Sequence, residues 1–242
     1  REQCSSETTA LFKAMEYAEG KHIVDITGGL GIDTVFMAKY AATVDYIEQN
    51  EELHDIATHN FRALELGNIS AHCSDSIDFL KNTNKHFDLI YADPARRDNQ
   101  GRKVSALENC TPNILENIDL LLSKADMLLT KSSPMLDITE AVAQLKHVSE
   151  ITIVAVKNEC KEILFLCTGS VSDTSPKCHC INFKSNGSVD KITFNREEET
   201  TLSIPYSANI EQYIYDPNVA LLKGGAFKTT SILYDIKKIH RN

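Results

Sequence analysis

Apolar and polar positions along the chain switch between a helical period and short buried runs. Leu11, Phe12, Met15 and Ala18 share one face of a helix over 7–19. An apolar run, Ile23 to Ile26, then meets a glycine-rich turn, and Val35, Phe36 and Ala38 resume helical spacing. The cycle repeats. A strand is predicted at 43–49, followed by a helix at 51–67 with Glu51 and Glu52 in its first turn and Gly67 at its end. A strand at 69–75 leads to a short helix at 76–82, and an apolar strand at 87–94 is ended by Pro94. Residues 95–110 are polar and read as loop. A helix at 112–125, with Pro112 near its start, precedes a strand at 126–133 and a helix at 133–148. Two apolar segments, 150–159 and 161–169, are joined too tightly for a parallel crossover, so they pair as a hairpin.

Strands alternating with helices predict an α/β fold. The expected core is a doubly wound, seven-stranded, mostly parallel sheet over 1–170, whose sixth and seventh strands form an antiparallel hairpin. Residues 170–180 read as a polar linker. Beyond it, 181–194 reads as a hairpin turning at Asn186-Gly187. With the remaining segment to Asn242 it is expected to form a small appended α+β module over 171–242, a size that is marginal alone.

Composition narrows the class. Hydrophobic residues make up 42% and charged residues 24%, which excludes a disordered, collagenous or coiled-coil chain. No apolar run approaches the roughly 18 residues of a membrane helix. The chain opens on polar residues with no signal peptide in view, and seven scattered cysteines read as free thiols in a reducing compartment. A cytoplasmic location is expected. Position 1 is Arg rather than Met, which fits a piece of something longer. The net charge of −9 argues against a broad grip on nucleic acid. One window departs from it: between Ala95 and Lys103, the basic residues Arg96, Arg97, Arg102 and Lys103 face a single acid, Asp98.

Candidate chemistry gathers at the strand ends. The glycine loop runs Asp25-Ile26-Thr27-Gly28-Gly29-Leu30-Gly31-Ile32-Asp33. It fails the dinucleotide fingerprint, because Thr34 stands where the third glycine belongs, and no Gly-Lys-Ser/Thr follows to make a P-loop. Glu48 falls at the end of the second strand, where a carboxylate can accept both ribose hydroxyls. Asp75 ends the third strand, within reach of an adenine amino group, and Asp93-Pro94 ends the fourth. Singly, Glu48 or Asp75 reads better as a helix cap or a loop charge. Their place in register with the glycine loop points to a site.

The series DITGGLGIDT, IEQN, CSDSIDFL and YADPARRD resembles the motifs of class I S-adenosylmethionine-dependent methyltransferases over residues 22–169. It looks most like bacterial RNA-methyltransferase-like proteins with a THUMP-like C-terminal domain, a module that YDPNVALLKGGAF at 215–227 is similar to. The resemblance implies a Rossmann-like methyltransferase domain and a THUMP-like or ferredoxin-like appended module. It implies S-adenosylmethionine as cofactor, with Asp25, Thr27, Gly28, Gly29 and Gly31 around its methionine part and Asp33 meeting its amino group. Glu48 would hold the ribose and Asp75 the adenine. Asp93, Pro94 and Arg96 would form the catalytic, substrate-side set. The family's amine-methylating pattern has a second proline and an aromatic where this chain has Ala95 and Arg96. Arg96 reads as a base-stacking or phosphate-gripping residue, or as a solvated loop charge.

The expected substrate is a base in tRNA or rRNA, held through Arg96, Arg97, Arg102 and Lys103. A small-molecule or protein methyltransferase, and a non-catalytic cofactor- or RNA-binding protein, stay as alternatives. Neither a metal nor a membrane is an expected partner. Cys178-His179-Cys180, with Cys160 and Cys167, lacks the paired spacing of a zinc site. His54 and His59 read as surface residues, Cys73 as core, and Lys237, Lys238, His240 and Arg241 as a solvated end or an RNA-facing run.

Overall fold

The computed structural model describes residues 4–96, 107–169, 175–207, 209–210 and 212–240. The expected alternation runs through β1 (His22–Asp25), β2 (Thr43–Glu48), β3 (Ile69–Cys73) and β4 (Phe87–Ala92). Two short strands, β5 (Ala95–Arg96) and β6 (Cys110–Thr111), pair antiparallel apart from the main sheet. Next come β7 (Ala125–Ser132), β8 (Val148–Val156), β9 (Glu159–Thr168), β10 (Lys177–Phe183) and β11 (Val189–Asn195). The helices are α1 (Glu7–Tyr17), α2 (Ile32–Ala38), α3 (Glu51–Ala63), α4 (Ser76–Asn82), α5 (Ile114–Lys124), α6 (Ile138–Leu145), α7 (Arg196–Thr201), α8 (Val219–Gly224) and α9 (Phe227–Leu233).

Among the described residues, nine strands make one sheet in the order β11-β10-β8-β9-β7-β4-β1-β2-β3. The central strands pair parallel, while β9 runs antiparallel between β7 and β8. The apolar pair Ile23-Val24 at the centre of β1 has both of its faces covered. Ile23 packs with Ala14, Tyr17 and Met37 under α1 and α2, and Val24 packs with Leu80, Leu121 and Leu145 under α4, α5 and α6. Phe61 of α3 meets the Tyr46 ring edge-on. The strand order reverses between β4, β1 and β2, and at such a point a crevice opens beyond the strand carboxyl ends.

Four readings are corrected. The sheet has nine strands rather than seven, because the hairpin read at 181–194 extends it through β10, parallel to β8. Of the segment read as linker at 170–180, the described part from Lys177 on belongs to β10, and 170–174 lie outside the described residues. Cys178 and Cys180 are buried in β10 and act there as small apolar residues at strand period. The face of α1 differs too: Met15 is 60% exposed, while Ala10, Lys13, Ala14 and Tyr17 are buried. A lysine lies on the buried face because carboxylates await it there. Cys73, read as core, is exposed at the end of β3. The C-terminal segment docks on the sheet. A side chain at Gly224 would come within 2.8 Å of Cys180 Sγ, and Lys223 Nζ donates to the Leu136 carbonyl at 2.9 Å.

Candidate active site

The loop after β1 is fixed by its own polar groups. One oxygen of Asp25 accepts from the Thr27 amide at 3.0 Å, and the other accepts from the Thr34 hydroxyl at 2.6 Å. Burial pushes the Asp25 carboxyl up to about 7, against the Thr34 and Thr27 hydrogen bonds, which favour the charged form. Asp25 is therefore a brace inside the loop. Gly28 lies against the Tyr46 ring so closely that an added Cβ would stand 2.2 Å from it. The Tyr46 hydroxyl donates to the Gly29 carbonyl. Gly31 starts α2 at φ 75°, and a Cβ there would meet Phe61 at 2.6 Å.

Glu48 and Asp75 hold backbone and still face the cleft. Glu48 accepts from the Gly29 amide at 2.8 Å and from the Asn50 amide at 2.7 Å. Asp75 caps α4, one oxygen accepting from the Ile77 and Asp78 amides at 2.9 and 3.0 Å. A carboxylate offers about four acceptor positions, so the cap and ligand-contact readings are compatible.

The floor carries a charge network. Lys13 Nζ lies 2.8 Å from Glu162 and 3.2 Å from Asp33. Ser5 and Tyr91 each donate a hydroxyl to Asp33 at 2.8 Å. Lys131 is ion-paired with Asp93, whose amide donates to the Thr27 hydroxyl at 2.7 Å. Burial works against the charge on Asp33, yet Lys13, Lys131 and the two hydroxyls hold its carboxyl below the ordinary value. At Glu162 burial prevails over Lys13 and Lys131 and raises the carboxyl. Burial opposes the charge on Lys131, but Asp93, Asp33 and Glu162 together keep its ammonium above the ordinary value. Two ammoniums thus face three carboxylates, leaving the floor net negative.

These groups line a cleft of about 990 Å³. That suits a cofactor-sized ligand, since such pockets span about 300–1,000 Å³. Of the residues singled out from sequence, Asp25, Thr27, Gly28, Gly29, Asp33, Glu48, Asp75, Asp93 and Pro94 all line it. Gly31 lies behind, as the N-cap of α2. Arg96 belongs to β5, opposite Cys110. Arg97, Arg102 and Lys103 lie outside the described residues, as does the Arg96 side chain. Sequence reading missed Lys13, Tyr46, Tyr91, Lys131 and Glu162. Ala92 pairs in parallel with Thr130, which sets Asp93, just past the end of β4, beside Lys131 of β7. Among the described residues no group of three His, Cys, Asp or Glu could hold a metal, and no helix is long and apolar enough to cross a membrane.

Comparison with known proteins follows the same outline. No curated protein matches the chain significantly. A ferredoxin-like domain matches residues 213–242. The chain is similar to a crystal structure described as a "putative methyltransferase from Porphyromonas gingivalis W83", at 36% identity and a TM-score of 0.83, covering 96% of this chain. It spans 58% of that relative's length. A second likeness is to a "putative RNA methyltransferase" from Pyrococcus horikoshii, at 13% identity and a TM-score of 0.50, over 69% of this chain and 82% of the other. Identity that low speaks for the fold alone. The family model described as conserved hypothetical protein 95 matches residues 4–162, from the first segment lining the cleft to Glu162 on its floor. The chain belongs to the conserved hypothetical protein 95 family.

Proposed function

We propose that the protein is an S-adenosylmethionine-dependent methyltransferase of the cytoplasm that acts on a base of tRNA or rRNA. The observation that carries this reading is the convergence of the Gly28-Gly29 loop, Glu48, Asp75 and Asp93 on one cleft at the strand carboxyl ends. The residues fit the cofactor. Asp33 lines the cleft with Oδ1 facing the Lys13 ammonium at 3.2 Å, and a carboxylate's about four acceptor positions leave room for the ammonium of a ligand as well. The glycine backbone leaves space, and the net-negative floor suits a sulfonium cation.

When bound, the cofactor supplies an already activated methyl group, so positioning provides most of the rate. Glu48 would hold the ribose hydroxyls with its remaining acceptor capacity. Asp75 would take the adenine amino group with the oxygen that does not cap α4. Asp33 would take the amino group of the methionine part. Asp93, followed by Pro94 at the turn out of β4, would orient the substrate atom. RNA is favoured by the cluster Arg96, Arg97, Arg102 and Lys103 next to the catalytic strand. It is favoured also by the C-terminal segment from residue 171, read here as a THUMP-like RNA-presenting module that includes the ferredoxin-like match at 213–242.

Calorimetry with S-adenosylmethionine tests the cofactor, and Glu48→Ala should weaken binding clearly because charge-assisted hydrogen bonds are lost. Tritium transfer from labelled cofactor into RNA, against a metabolite extract, tests the substrate. Binding unchanged in Glu48→Ala would overturn the cofactor assignment, and label only in the extract would overturn RNA.

A further inference from the structure

We propose that Asp93 and Lys131 together read the lactam edge of a nucleobase, the ring N–H beside a carbonyl oxygen found in guanine and uracil, and that the methyl group is placed on that ring nitrogen. The inference rests on the methyltransferase reading above and names the substrate atom within it.

Strand register brings the two residues together. Ala92 of β4 and Thr130 of β7 are paired in parallel, so the next residue of each strand emerges at the same level of the cleft. Those residues are Asp93 and Lys131, ion-paired with side chains 26% and 10% exposed. Both line the cleft. A carboxylate accepts several hydrogen bonds and an ammonium donates three, so their mutual contact exhausts neither. The pair therefore presents an acceptor and a donor next to each other.

Lys131 cannot serve as a base here. Asp93, Asp33 and Glu162 surround it with negative charge and keep it an ammonium, a pure donor. The exocyclic amine of adenine or cytosine, with its neighbouring ring nitrogen, also sets a donor beside an acceptor, but methylation there develops no negative charge on an oxygen for the Lys131 ammonium to meet. A lactam edge offers one N–H and one C=O side by side, which matches both partners.

The chemistry agrees with the recognition. A lactam nitrogen becomes a nucleophile only as its proton leaves, and the negative charge then resides largely on the neighbouring oxygen. Asp93 accepts that proton and Lys131 meets the oxygen. With a sulfonium methyl donor in place, the nitrogen lone pair forms the new N–C bond. The carbon–sulfur bond breaks with its electron pair going to sulfur, leaving a neutral thioether and a protonated Asp93. The ammonium of Lys131 is unchanged.

Two measurements test this. In the first, nucleoside monophosphates are titrated into the protein saturated with S-adenosylhomocysteine. Guanosine and uridine monophosphates should bind more tightly than the adenosine and cytidine forms, and Lys131→Met should erase the difference. In the second, unmodified tRNA and rRNA transcripts are incubated with labelled S-adenosylmethionine, digested to nucleosides and resolved by mass spectrometry. The expected product is N1-methylguanosine or N3-methyluridine, and the assay separates the two. Lys131→Met should lower transfer by about 100-fold or more while the protein stays folded by circular dichroism with cofactor affinity within a few-fold, and Lys131→Arg should restore part of the transfer. A methylated exocyclic amine, or a preference for adenosine or cytidine monophosphate, would overturn the lactam assignment and leave the methyltransferase reading intact. Absence of both transfer and nucleotide preference would also overturn it. Loss of S-adenosylmethionine binding in the wild-type protein would instead mark failure of the underlying reading.

Discussion

Lys13 of α1 and Glu162 of β9 meet at 2.8 Å across 149 positions of sequence, with side chains 0% and 2% exposed. Asp33 stands on the other side of the same ammonium at 3.2 Å. One cation thus ties the N-terminal helix, the helix after the glycine loop and the reversed strand together beneath the cleft.

Removing that cation should be costly. Lys13→Met leaves two buried carboxylates without their partner, and breaking a buried pair in this way costs about 3–5 kcal/mol. Urea unfolding measures it. The double variant Lys13→Met, Glu162→Leu should recover part of the loss, because one of the stranded charges is gone.

Asp25 gives stability a pH dependence of definite sign. Its carboxyl is raised from 3.8 to about 7 by burial, so the folded protein keeps a proton that the unfolded chain has released. The contribution of protonated Asp25 is present in full below about pH 4 and is lost as pH rises through about 7. Denaturation midpoints across that range should fall with pH on its account. Asp25→Asn, which cannot titrate, should flatten the trend.

The glycine loop should tolerate side chains unequally. Gly28→Ala forces its methyl into the Tyr46 ring, and Gly31→Ala combines a left-handed backbone with a collision at Phe61. Both should lower the thermal midpoint and weaken cofactor binding. Shortening the obstacle in Gly28→Ala, Tyr46→Ala should restore cofactor binding in part, whereas the Gly31 variant keeps its backbone strain whatever is done to Phe61.

Salt tests the basic cluster after β4. If Arg96 and Arg97 meet phosphates, RNA binding weakens steeply with salt. Replacing both with alanine should then reduce the log–log slope by about 1–2 while cofactor affinity stays put. Filter binding at several salt concentrations reads the slope for each protein.

Much of this site was legible because it is written at strand ends. Glycines, Glu48, Asp75 and Asp93 follow successive apolar runs, and parallel pairing then brings them into one cleft whatever the details of packing. Lys13 was hidden for the opposite reason. A lysine on an amphipathic helix is ordinarily assigned to water, and only Glu162 and Asp33, far away in sequence, reverse that assignment. The face of α1 was misjudged with it, and Met15 took the place that belongs to Tyr17. Cys178 and Cys180 misled in another way. Between polar neighbours they suggested a linker, yet their two-residue spacing is that of a strand with one buried face. Tyr46 carried no motif at all, and its role follows from the absence of a side chain at Gly28.

The place of β9 has a consequence for the order in which the molecule can be completed. As the chain is synthesised, β7 finds β4 on one side, and its other edge waits for a strand that begins only at Glu159. Until then the row of amides and carbonyls over Ala125–Ser132 is open to any extended chain nearby. Lys13 has Asp33 beside it from the start of the fold but gains its second carboxylate, Glu162, only with that same strand. A nascent chain halted before residue 159 would carry an unpaired edge and a half-answered lysine at once, the state in which chaperone capture and aggregation compete with folding. Arrival of a single strand cures both, so the pairing of β9 with β7 is also the step that completes the floor of the cleft.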